Sequence, residues 1–255
     1  MPRTIAIGDI HGDRDHLFVL LETLPKLESS DTVVFLGDYV DRGPQSAEVI
    51  EAVRSLQAEA QYKVVALRGN HEDAWLRVLD SGWPDFVEPP QNGCLATLRS
   101  YTGGEQPEPS DLPEPEEVEL LTTGRFFPQD VVNWMRSLRW WYEDEFAIYV
   151  HAGTASREGR WLHPSEVRPA STILWTRSEE MFKTYRGKTM IIGHTVTRLL
   201  PPELSTHTPA DPKDLWAAEN IIAIDTGCGK GGFLTAVELP ARLVYESRSM
   251  VVTPV

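Results

Sequence analysis

The chain has 255 residues and a formal net charge of −14, from 24 Lys and Arg against 38 Asp and Glu. This charge argues against nucleic-acid binding, because proteins hold phosphate backbones with clustered Lys and Arg. The two cysteines, Cys94 and Cys228, are too few and too far apart for a disulfide framework, and a chain of this length can bury a sizeable core as a single domain without one.

Short apolar segments alternate with helical patterns in the first third of the chain. Three strands are predicted there: Thr4–Ile7, Thr32–Leu36 and Lys63–Leu67. Apolar residues at helical spacing predict helices between them, over 13–24 and 45–56. Strands and helices that alternate in this way are typical of βαβ units, so the sequence predicts an α/β fold.

A polar block follows each of these strands directly. The blocks read GDIHG at 8–12, GDYVDRG at 37–43 and RGNHE at 68–72. Because ligands bind at the carboxyl ends of strands in open α/β sheets, we expect the Asp, His and Asn side chains of these blocks to lie together. Carboxylates and imidazoles without thiolates suit a borderline-to-hard divalent ion, and one Asp can bridge two ions about 3.5–4 Å apart.

The middle of the chain is predicted to be less regular. A helix continues from Asp73 to Leu79, and others are predicted over 92–101 and 127–138. The segment 105–119 holds four prolines, seven acidic residues and no basic residue, which predicts an exposed, extended loop at about 103–120 and not a strand or helix. A solvated loop and a lid or substrate-selecting rim are both compatible with this composition.

The second half of the chain is predicted to consist mainly of strands. They cover 146–150, 189–192, 221–225, 233–239 and 243–247, and the Gly-rich segment 227–232 is predicted to be a hairpin turn. His151 and His194 follow the first two of these strands. A single histidine after a strand is more often a packing or capping residue, but five strand-end blocks in one chain favour a shared site.

These motifs resemble the phosphoprotein phosphatase family within the calcineurin-like metallophosphoesterases. Besides the three N-terminal blocks, HAG at 151–153, LWTR at 174–177, GHT at 193–195 and IDTG at 224–227 follow the order of the small bacterial and lambda-phage-type protein phosphatases. The similarity spans roughly residues 3–240. It implies a sandwich of two mixed β-sheets flanked by helices, formed by a single domain of residues 1–255.

The resemblance also implies a centre of two divalent metal ions. It assigns six ligands: Asp9 and His11 on one ion, Asp38 as the bridge, and Asn70, His151 and His194 on the other. Manganese is the expected metal, and iron, zinc, cobalt and nickel suit the same oxygen and nitrogen ligands.

The remaining catalytic roles follow from the same resemblance. His71 would be the general acid, oriented by Asp41, while Arg42 and Arg177 would hold the phosphate oxygens and a metal-bridging hydroxide would attack phosphorus. The structural alternative for Asp41 and Arg42 is an ordinary salt bridge within a turn. For Arg68 a role in supporting its loop is favoured over phosphate contact.

The implied activity is hydrolysis of phosphoserine and phosphothreonine in proteins, with phosphotyrosine and small aryl phosphates as further substrates. The alternative is a symmetrical dinucleoside tetraphosphatase or a broad small-molecule phosphatase. The tetraphosphatases typically lack the acidic residue at the position of Asp41, which favours the first activity. The expected partner is therefore a phosphorylated protein or a small phosphoester.

Two other classes of protein fit this sequence less well. A catalytically silent binding module should have lost a ligand or the acid, and none of the expected residues is missing. Metallo-nucleases and cyclic phosphodiesterases usually carry a second histidine shortly after the one in the Gly-His block, whereas Thr195 and Val196 follow His194.

Two departures from the family pattern concern the substrate side of the site. The bacterial relatives commonly have paired glycines after an Asn where this chain has Asn92-Gly93-Cys94. A proline usually follows the HAG block, where this chain has Thr154-Ala155-Ser156. The motifs therefore indicate the chemistry more sharply than the substrate.

The N-terminus and the hydropathy bear on location. The first predicted strand begins at Thr4, which leaves no room for a cleavable signal peptide, and no apolar run approaches the ~20 residues that span a bilayer. We expect a cytoplasmic protein without membrane association. Export that needs no such signal stays compatible with the sequence.

Overall fold

The computed structural model describes residues 2–108, 111–207 and 213–255. Within these residues the chain forms thirteen strands: β1 (Thr4–Ile7), β2 (Thr32–Phe35), β3 (Lys63–Ala66), β4 (Trp141–Glu143), β5 (Ile148–Val150), β6 (Ser156–Arg157), β7 (Arg160–Trp161), β8 (Met190–Ile192), β9 (Trp216–Ala217), β10 (Ile221–Ala223), β11 (Thr235–Leu239), β12 (Leu243–Glu246) and β13 (Ser249–Pro254).

The same described residues form nine α-helices: α1 (Arg14–Thr23), α2 (Ser46–Glu59), α3 (Asn70–Ser81), α4 (Pro84–Val87), α5 (Cys94–Thr102), α6 (Pro115–Thr123), α7 (Gln129–Ser137), α8 (Thr172–Trp175) and α9 (Glu179–Thr184). Four short 3₁₀ helices cover Pro90–Asn92, Pro164–Glu166, Thr197–Leu199 and Pro202–Leu204.

Two mixed sheets form the centre of the fold. The six-stranded sheet has the order β13-β12-β11-β1-β2-β3, in which β1, β2 and β3 are parallel and β11 runs antiparallel to β1. The five-stranded sheet has the order β4-β5-β8-β10-β9, and its three central strands β5, β8 and β10 are parallel. Strands β6 and β7 pair separately as a small hairpin. The predicted α/β sandwich of two mixed sheets is confirmed.

Alternation along the strands separates three apolar layers. Ala6 and Val34 face Tyr149 and Ile191 between the two sheets. Their neighbours point the other way, toward the helices outside the six-stranded sheet, as Ile5 does. A third cluster covers the outer face of the five-stranded sheet under α8 and α9. The two sheets therefore pack face to face with helices outside, and their strand ends are held in fixed positions.

The predicted strands lie within two residues of the observed ones, whereas the predicted loop at 103–120 is wrong from Pro115 onward. Helix α6 begins there because Pro115 occupies its first turn, where a fixed φ and a missing N–H cost nothing. Leu121 is buried in the core, and Arg99 on α5 pairs with Glu117 at 2.8 Å. Positions 109 and 110 of the predicted loop lie outside the described residues.

The hairpin predicted at 227–232 is also wrong. Strand β10 belongs to the five-stranded sheet and β11 to the six-stranded sheet, so this segment crosses from one sheet to the other. It passes close to the loop after β1, since a Cβ on Gly229 would lie 2.4 Å from the carbonyl oxygen of His11. Gly229 also has a φ of +69°, which favours glycine. The crossing segment is thereby part of the wall around the polar strand ends.

Candidate metal centre

The predicted site residues meet where the carboxyl ends of the two sheets come together. Nine of them follow β1, β2, β3, β5 and β8, all of which are parallel strands within their own sheets, with Asn70 and His71 at the start of α3. The tenth, Arg177, comes from the segment between α8 and α9. The same loops carry unusual backbone. Five of the seven non-glycine residues with positive φ in the described chain are site residues: His11, Asp38, Asp41, Arg42 and His194. Strain of this kind persists where the surrounding structure holds it, and it clusters at functional sites.

Two histidines are oriented by backbone carbonyls of the neighbouring strand end. Nδ1 of His11 lies 3.0 Å from the carbonyl oxygen of Val40, and Nδ1 of His151 lies 2.9 Å from that of Leu36. Because a carbonyl oxygen only accepts, each Nδ1 carries the proton and each Nε2 presents its lone pair to the centre. Histidine ligands of metal sites are held in this way.

Asp38 and Asn70 occupy the middle of the centre. The carboxylate of Asp38 lies 3.4 Å from Nε2 of His11 on one side and 3.4 Å from Nε2 of His151 on the other. The side-chain oxygen of Asn70 lies 2.9 Å from Nε2 of His151 and 2.7 Å from Nδ1 of His194. Asp38 is thus shared by two groups of candidate ligand atoms, one with His11 and His71 and the other with His151 and His194.

Asp9 lies beside this pair of groups. Its carboxylate accepts the backbone N–H of His194 at 3.0 Å and lies 3.9 Å from Nε2 of His11. A Cβ on Gly193 would come within 2.0 Å of the Asp9 carboxylate, so only glycine lets the GHT loop approach this closely. The structure therefore brings all six predicted ligands to one place, while their assignment to individual ions stays a prediction.

Burial sets the charges in the centre. It raises the pKa of Asp9 well above its usual value, and the nearby carboxylates of Asp225 and Asp38 raise it further. Burial alone would also raise the pKa of Asp38, but the adjacent His151, His71 and Arg42 outweigh it and hold this pKa below the usual range. Desolvation lowers the pKa of His11, as it does that of His151. Neutral imidazoles next to a buried carboxylate are the form in which these groups bind metals.

The donor set fits two divalent ions. His194 is 4% exposed, yet its Nε2 has no hydrogen-bond partner among the described residues. Buried polar atoms without partners are rare in proteins, and here the orphaned nitrogen belongs to a cluster of imidazole, carboxylate and amide oxygen ligands. Several carboxylates buried together also need cations to offset their mutual repulsion.

We predict that the chain binds two manganese ions and that Asp38→Ala binds fewer than two, because Asp38 is shared by both groups. Metal analysis after dialysis measures the stoichiometry, and thermal unfolding with and without metal measures the stabilisation, about 2.7 kcal/mol at 100 times Kd for each site. Asp15→Ala, at the exposed start of α1, is the matched control. One ion or none in the unaltered protein would contradict the prediction.

His71 and Asp41 form a buried pair beside the candidate metal centre. Nδ1 of His71 lies 2.6 Å from Oδ2 of Asp41, and Nε2 of His71 lies 3.9 Å from Oδ2 of Asp38. Asp41 is fully buried and accepts two more bonds, from Nε1 of Trp75 at 3.0 Å and from Oγ1 of Thr97 at 2.7 Å. Three donors hold this carboxylate in place, and the carboxylate fixes the imidazole that faces the centre.

Arg42 and Arg177 line a cleft of about 1170 Å³ that also reaches His194 of the candidate metal centre. The guanidinium of Arg42 contacts Nε2 of His11, and Arg42 forms no ion pair with Asp41 within the described residues. A turn salt bridge between Asp41 and Arg42 is therefore not what the structure contains. Arg177 is exposed and makes no hydrogen bond or ion pair with another described side chain.

Arg68 has the supporting role that the sequence favoured. Its guanidinium donates to the carbonyl oxygens of Met135 and Arg136, pairs with Asp73 at 3.3 Å, and stacks over the Trp140 ring. These contacts join the loop after β3 to the C-terminal end of α7.

Several supporting residues were missed by sequence reasoning. Glu72 accepts the backbone N–H groups of Asp38, Tyr39 and Gly69, so it ties the loops after β2 and β3 together. Burial raises its pKa to about 8, with a further contribution from Asp38. Lys230 lines the cleft and pairs with Asp225 at 3.5 Å. The sequence feature that could have pointed to Glu72 is the RGNHE block, which contains it. For Lys230 the only such feature is the Gly-rich segment 227–232.

We expect Thr97→Val to lower the free energy of unfolding by about 1.5–3 kcal/mol, the usual contribution of a hydrogen bond to a charged group. Oγ1 of Thr97 donates to the Asp41 carboxylate and accepts the Asp41 backbone N–H at 2.8 Å. Thr102→Val on the same helix removes an exposed hydroxyl and is the control. Urea unfolding of both variants checks the difference, and equal losses would count against this support of Asp41.

Comparison with known proteins bears on the family of the chain. The sequence profile described as "Calcineurin-like phosphoesterase" matches residues 2–198. A "Bis(5'-nucleosyl)-tetraphosphatase, symmetrical" of Vibrio vulnificus is 26% identical and covers 96% of this chain and 97% of its own. A putative serine/threonine-protein phosphatase of Caenorhabditis elegans is 44% identical over 70 residues, which are 26% of this chain and 18% of that protein.

Comparison with solved structures bears on the fold alone. The crystal structure of a putative diadenosine tetraphosphatase superposes with a TM-score of 0.58 at 20% identity and covers 99% of this chain and 93% of its own. Among the described residues, none of the helices has both the length and the apolar character to cross a membrane.

Proposed function

The chain belongs to the calcineurin-like phosphoesterase family, and from this premise we propose that it is a phosphomonoesterase acting on phosphoserine and phosphothreonine in proteins, with phosphotyrosine and small aryl phosphates as further substrates. Phosphoester hydrolysis is the chemistry of the family. The choice of substrate rests on the buried pair of His71 and Asp41, whose nitrogen and oxygen lie 2.6 Å apart.

The His71–Asp41 pair bears on the choice of substrate, because alkoxide leaving groups need a proton and nucleotide leaving groups have less need of one. A serine or threonine alkoxide is a strong base and leaves only with a proton, whereas a nucleotide leaves with its charge already spread over phosphate oxygens. An imidazole whose Nδ1 is fixed by a carboxylate can carry a proton on Nε2 and give it to the departing oxygen. A site built around such an acid supports alkyl phosphate hydrolysis.

The other side chains have complementary roles. Two divalent ions held by Asp9, His11, Asp38, Asn70, His151 and His194 would supply Lewis-acid charge and lower the pKa of bound water. Arg42 and Arg177 present planar forks to the cleft, which suit the non-bridging oxygens of a phosphate and the charge that grows on them during transfer.

A dinucleoside tetraphosphatase is the second candidate. The 26% identity to the Vibrio vulnificus enzyme over 96% of this chain favours it, and a cleft of about 1170 Å³ has room for more than one phosphate. The first candidate has the support of the 44% identical segment shared with a putative serine/threonine-protein phosphatase and of the Asp41–His71 pair.

We expect kcat/KM for a phosphoserine peptide to exceed that for diadenosine tetraphosphate by at least about tenfold in the manganese-loaded enzyme. A phosphotyrosine peptide is compared in parallel, and the Asp38→Ala protein is the control for a contaminating phosphatase. A kcat/KM for diadenosine tetraphosphate equal to or above that for phosphoserine would contradict the proposal and support the second candidate.

The proposal includes manganese as the resident metal and the cytoplasm as the location. Oxygen and nitrogen ligands without thiolate are compatible with manganese. Metal analysis of protein purified without added metal tests the first, and cell fractionation tests the second.

A further inference from the structure

The charges around the cleft are divided between its floor and its edge. Arg42 and Lys230 lie at the floor, half-buried beside His11 and Asp225. Five exposed carboxylates line the same cleft, and we call them the acidic rim: Glu88, Glu108, Asp111, Glu179 and Glu203. Two further cations, Arg177 and Arg198, are exposed and also line the cleft. A ligand would thus meet positive charge around its phosphate and mainly negative charge around the groups beside it.

Contacts of Arg99 hold one part of the acidic rim, the segment around Asp111, at a fixed distance from Arg42 at the floor of the cleft. Arg99 on α5 is only 14% exposed; it pairs with Glu117 at 2.8 Å and lies 3.7 Å from Asp111. It also donates to the carbonyl oxygen of Glu105 at 3.1 Å. The acid-rich segment is therefore tied to α5, and the residue before α5, Gly93, accepts the backbone N–H of Arg42 at 3.2 Å.

Other members of the rim are free to meet a ligand. Glu88, Glu108 and Glu203 form no ion pair within the described residues, although each lines the cleft. The same cleft is lined by His194, whose buried Nε2 has no partner among the described residues. Because this nitrogen is a candidate metal ligand, the cleft reaches the candidate metal centre, where a phosphate would bind, and the free carboxylates indicate the charge that the outer part of the substrate would meet.

We propose that the cleft selects phosphorylated polypeptide segments in which Lys or Arg residues flank the phosphorylated side chain; this rests on the phosphomonoesterase function proposed above. Basic flanks would be attracted by the acidic rim and by the overall charge of −14. A dinucleoside polyphosphate carries further negative charge beyond the phosphate under attack, and the rim opposes it.

The test compares three synthetic peptides with the same phosphoserine and three flanking Arg, Gln or Glu residues. We expect kcat/KM to fall in the order Arg, Gln, Glu, with the Arg and Glu peptides differing by about three- to thirtyfold at low salt and by less when salt screens the exposed charges. An aryl phosphate without flanks serves as the reference substrate.

Two triple variants distinguish the effect of the acidic rim from the effect of the net negative charge of the whole protein. The rim variant combines Glu88→Gln, Glu108→Gln and Glu203→Gln. It should reduce the ratio of kcat/KM between the Arg and Glu peptides to less than about threefold and leave kcat/KM for the aryl phosphate unchanged. Glu59→Gln with Glu145→Gln and Glu158→Gln removes the same charge from exposed positions outside the cleft and should leave the difference as it was.

The outcomes distinguish the two proposals. Phosphopeptide hydrolysis with equal kcat/KM for Arg and Glu flanks overturns the selection and leaves the proposed function standing. The selection is likewise overturned if both triple variants reduce the difference equally, or if the rim variant loses aryl phosphate activity to the same extent. Hydrolysis of diadenosine tetraphosphate in preference to all three peptides overturns the proposed function and, with it, the inference.

Discussion

His71→Asn is expected to slow hydrolysis of a phosphoserine peptide by about 10²–10⁴, the usual contribution of a general acid. Hydrolysis of p-nitrophenyl phosphate should slow much less, because nitrophenolate leaves without a proton. The geometry supports this difference, since Nδ1 of His71 is taken by Asp41 at 2.6 Å and its Nε2 faces the centre, 3.9 Å from Asp38. Steady-state kinetics with both substrates measure it.

The substitution should leave the rest of the site in place. The backbone N–H of residue 71 still donates to Asp38, and Trp75 and Thr97 still donate to Asp41. Metal content and melting temperature are therefore measured on the same protein, with His16→Asn, on α1, as the control. Equal losses on the two substrates would remove His71 from the role of acid, and loss of metal would assign it a role in the centre instead.

The sequence predicted the catalytic side of the site because each block is local. Asp9, Asp38 and Asn70 each stand within a few residues of a strand end, and strand ends are read well from apolar segments. The relation between blocks follows from the sheet, since parallel strands bring their carboxyl ends to one edge. His151 and His194 come from a second sheet; their positions after apolar strands indicated a shared site, and the motif resemblance assigned them to one metal ion.

Tertiary contacts account for what the sequence missed. Helix α6 begins in a segment whose prolines and acids suggested an extended loop, but its stability depends on Leu121 in the core and on Arg99, eighteen residues before Glu117. The segment 227–232 looked like a hairpin because strands flank it on both sides; which sheet each strand joins cannot be read from local pattern. Lys230 reaches the cleft only because of this crossing.

These errors lie on the substrate side of the molecule. The acid-rich segment, α5 and the crossing segment all border the cleft, whereas the motifs reach it only through Arg42, Arg177, His194 and Thr195. Residues that recognise a substrate can come from any loop that reaches the opening, so they carry no fixed spacing. The sequence therefore predicts the catalytic residues of this chain better than its substrate specificity, because the specificity depends on how the loops assemble.

Arg42→Ala and Arg177→Ala should each lower kcat/KM by about 10- to 150-fold and weaken inhibition by inorganic phosphate, as expected when a charge-assisted hydrogen bond to phosphate is removed. Arg→Lys at the same positions keeps the charge but not the planar fork and should recover part of the loss. Arg125→Ala, exposed and outside the cleft, is the control.

The melting temperature separates phosphate binding from a structural role. A structural ion pair between Arg42 and Asp41 would make Arg42→Ala destabilising, because a buried carboxylate would be left unpaired. The structure argues otherwise: Asp41 is already held by His71, Trp75 and Thr97, and the backbone N–H of residue 42 keeps its bond to Gly93 in the variant. We therefore expect a nearly unchanged melting temperature together with weaker phosphate inhibition, and a loss of stability with unchanged phosphate affinity would refute the assignment.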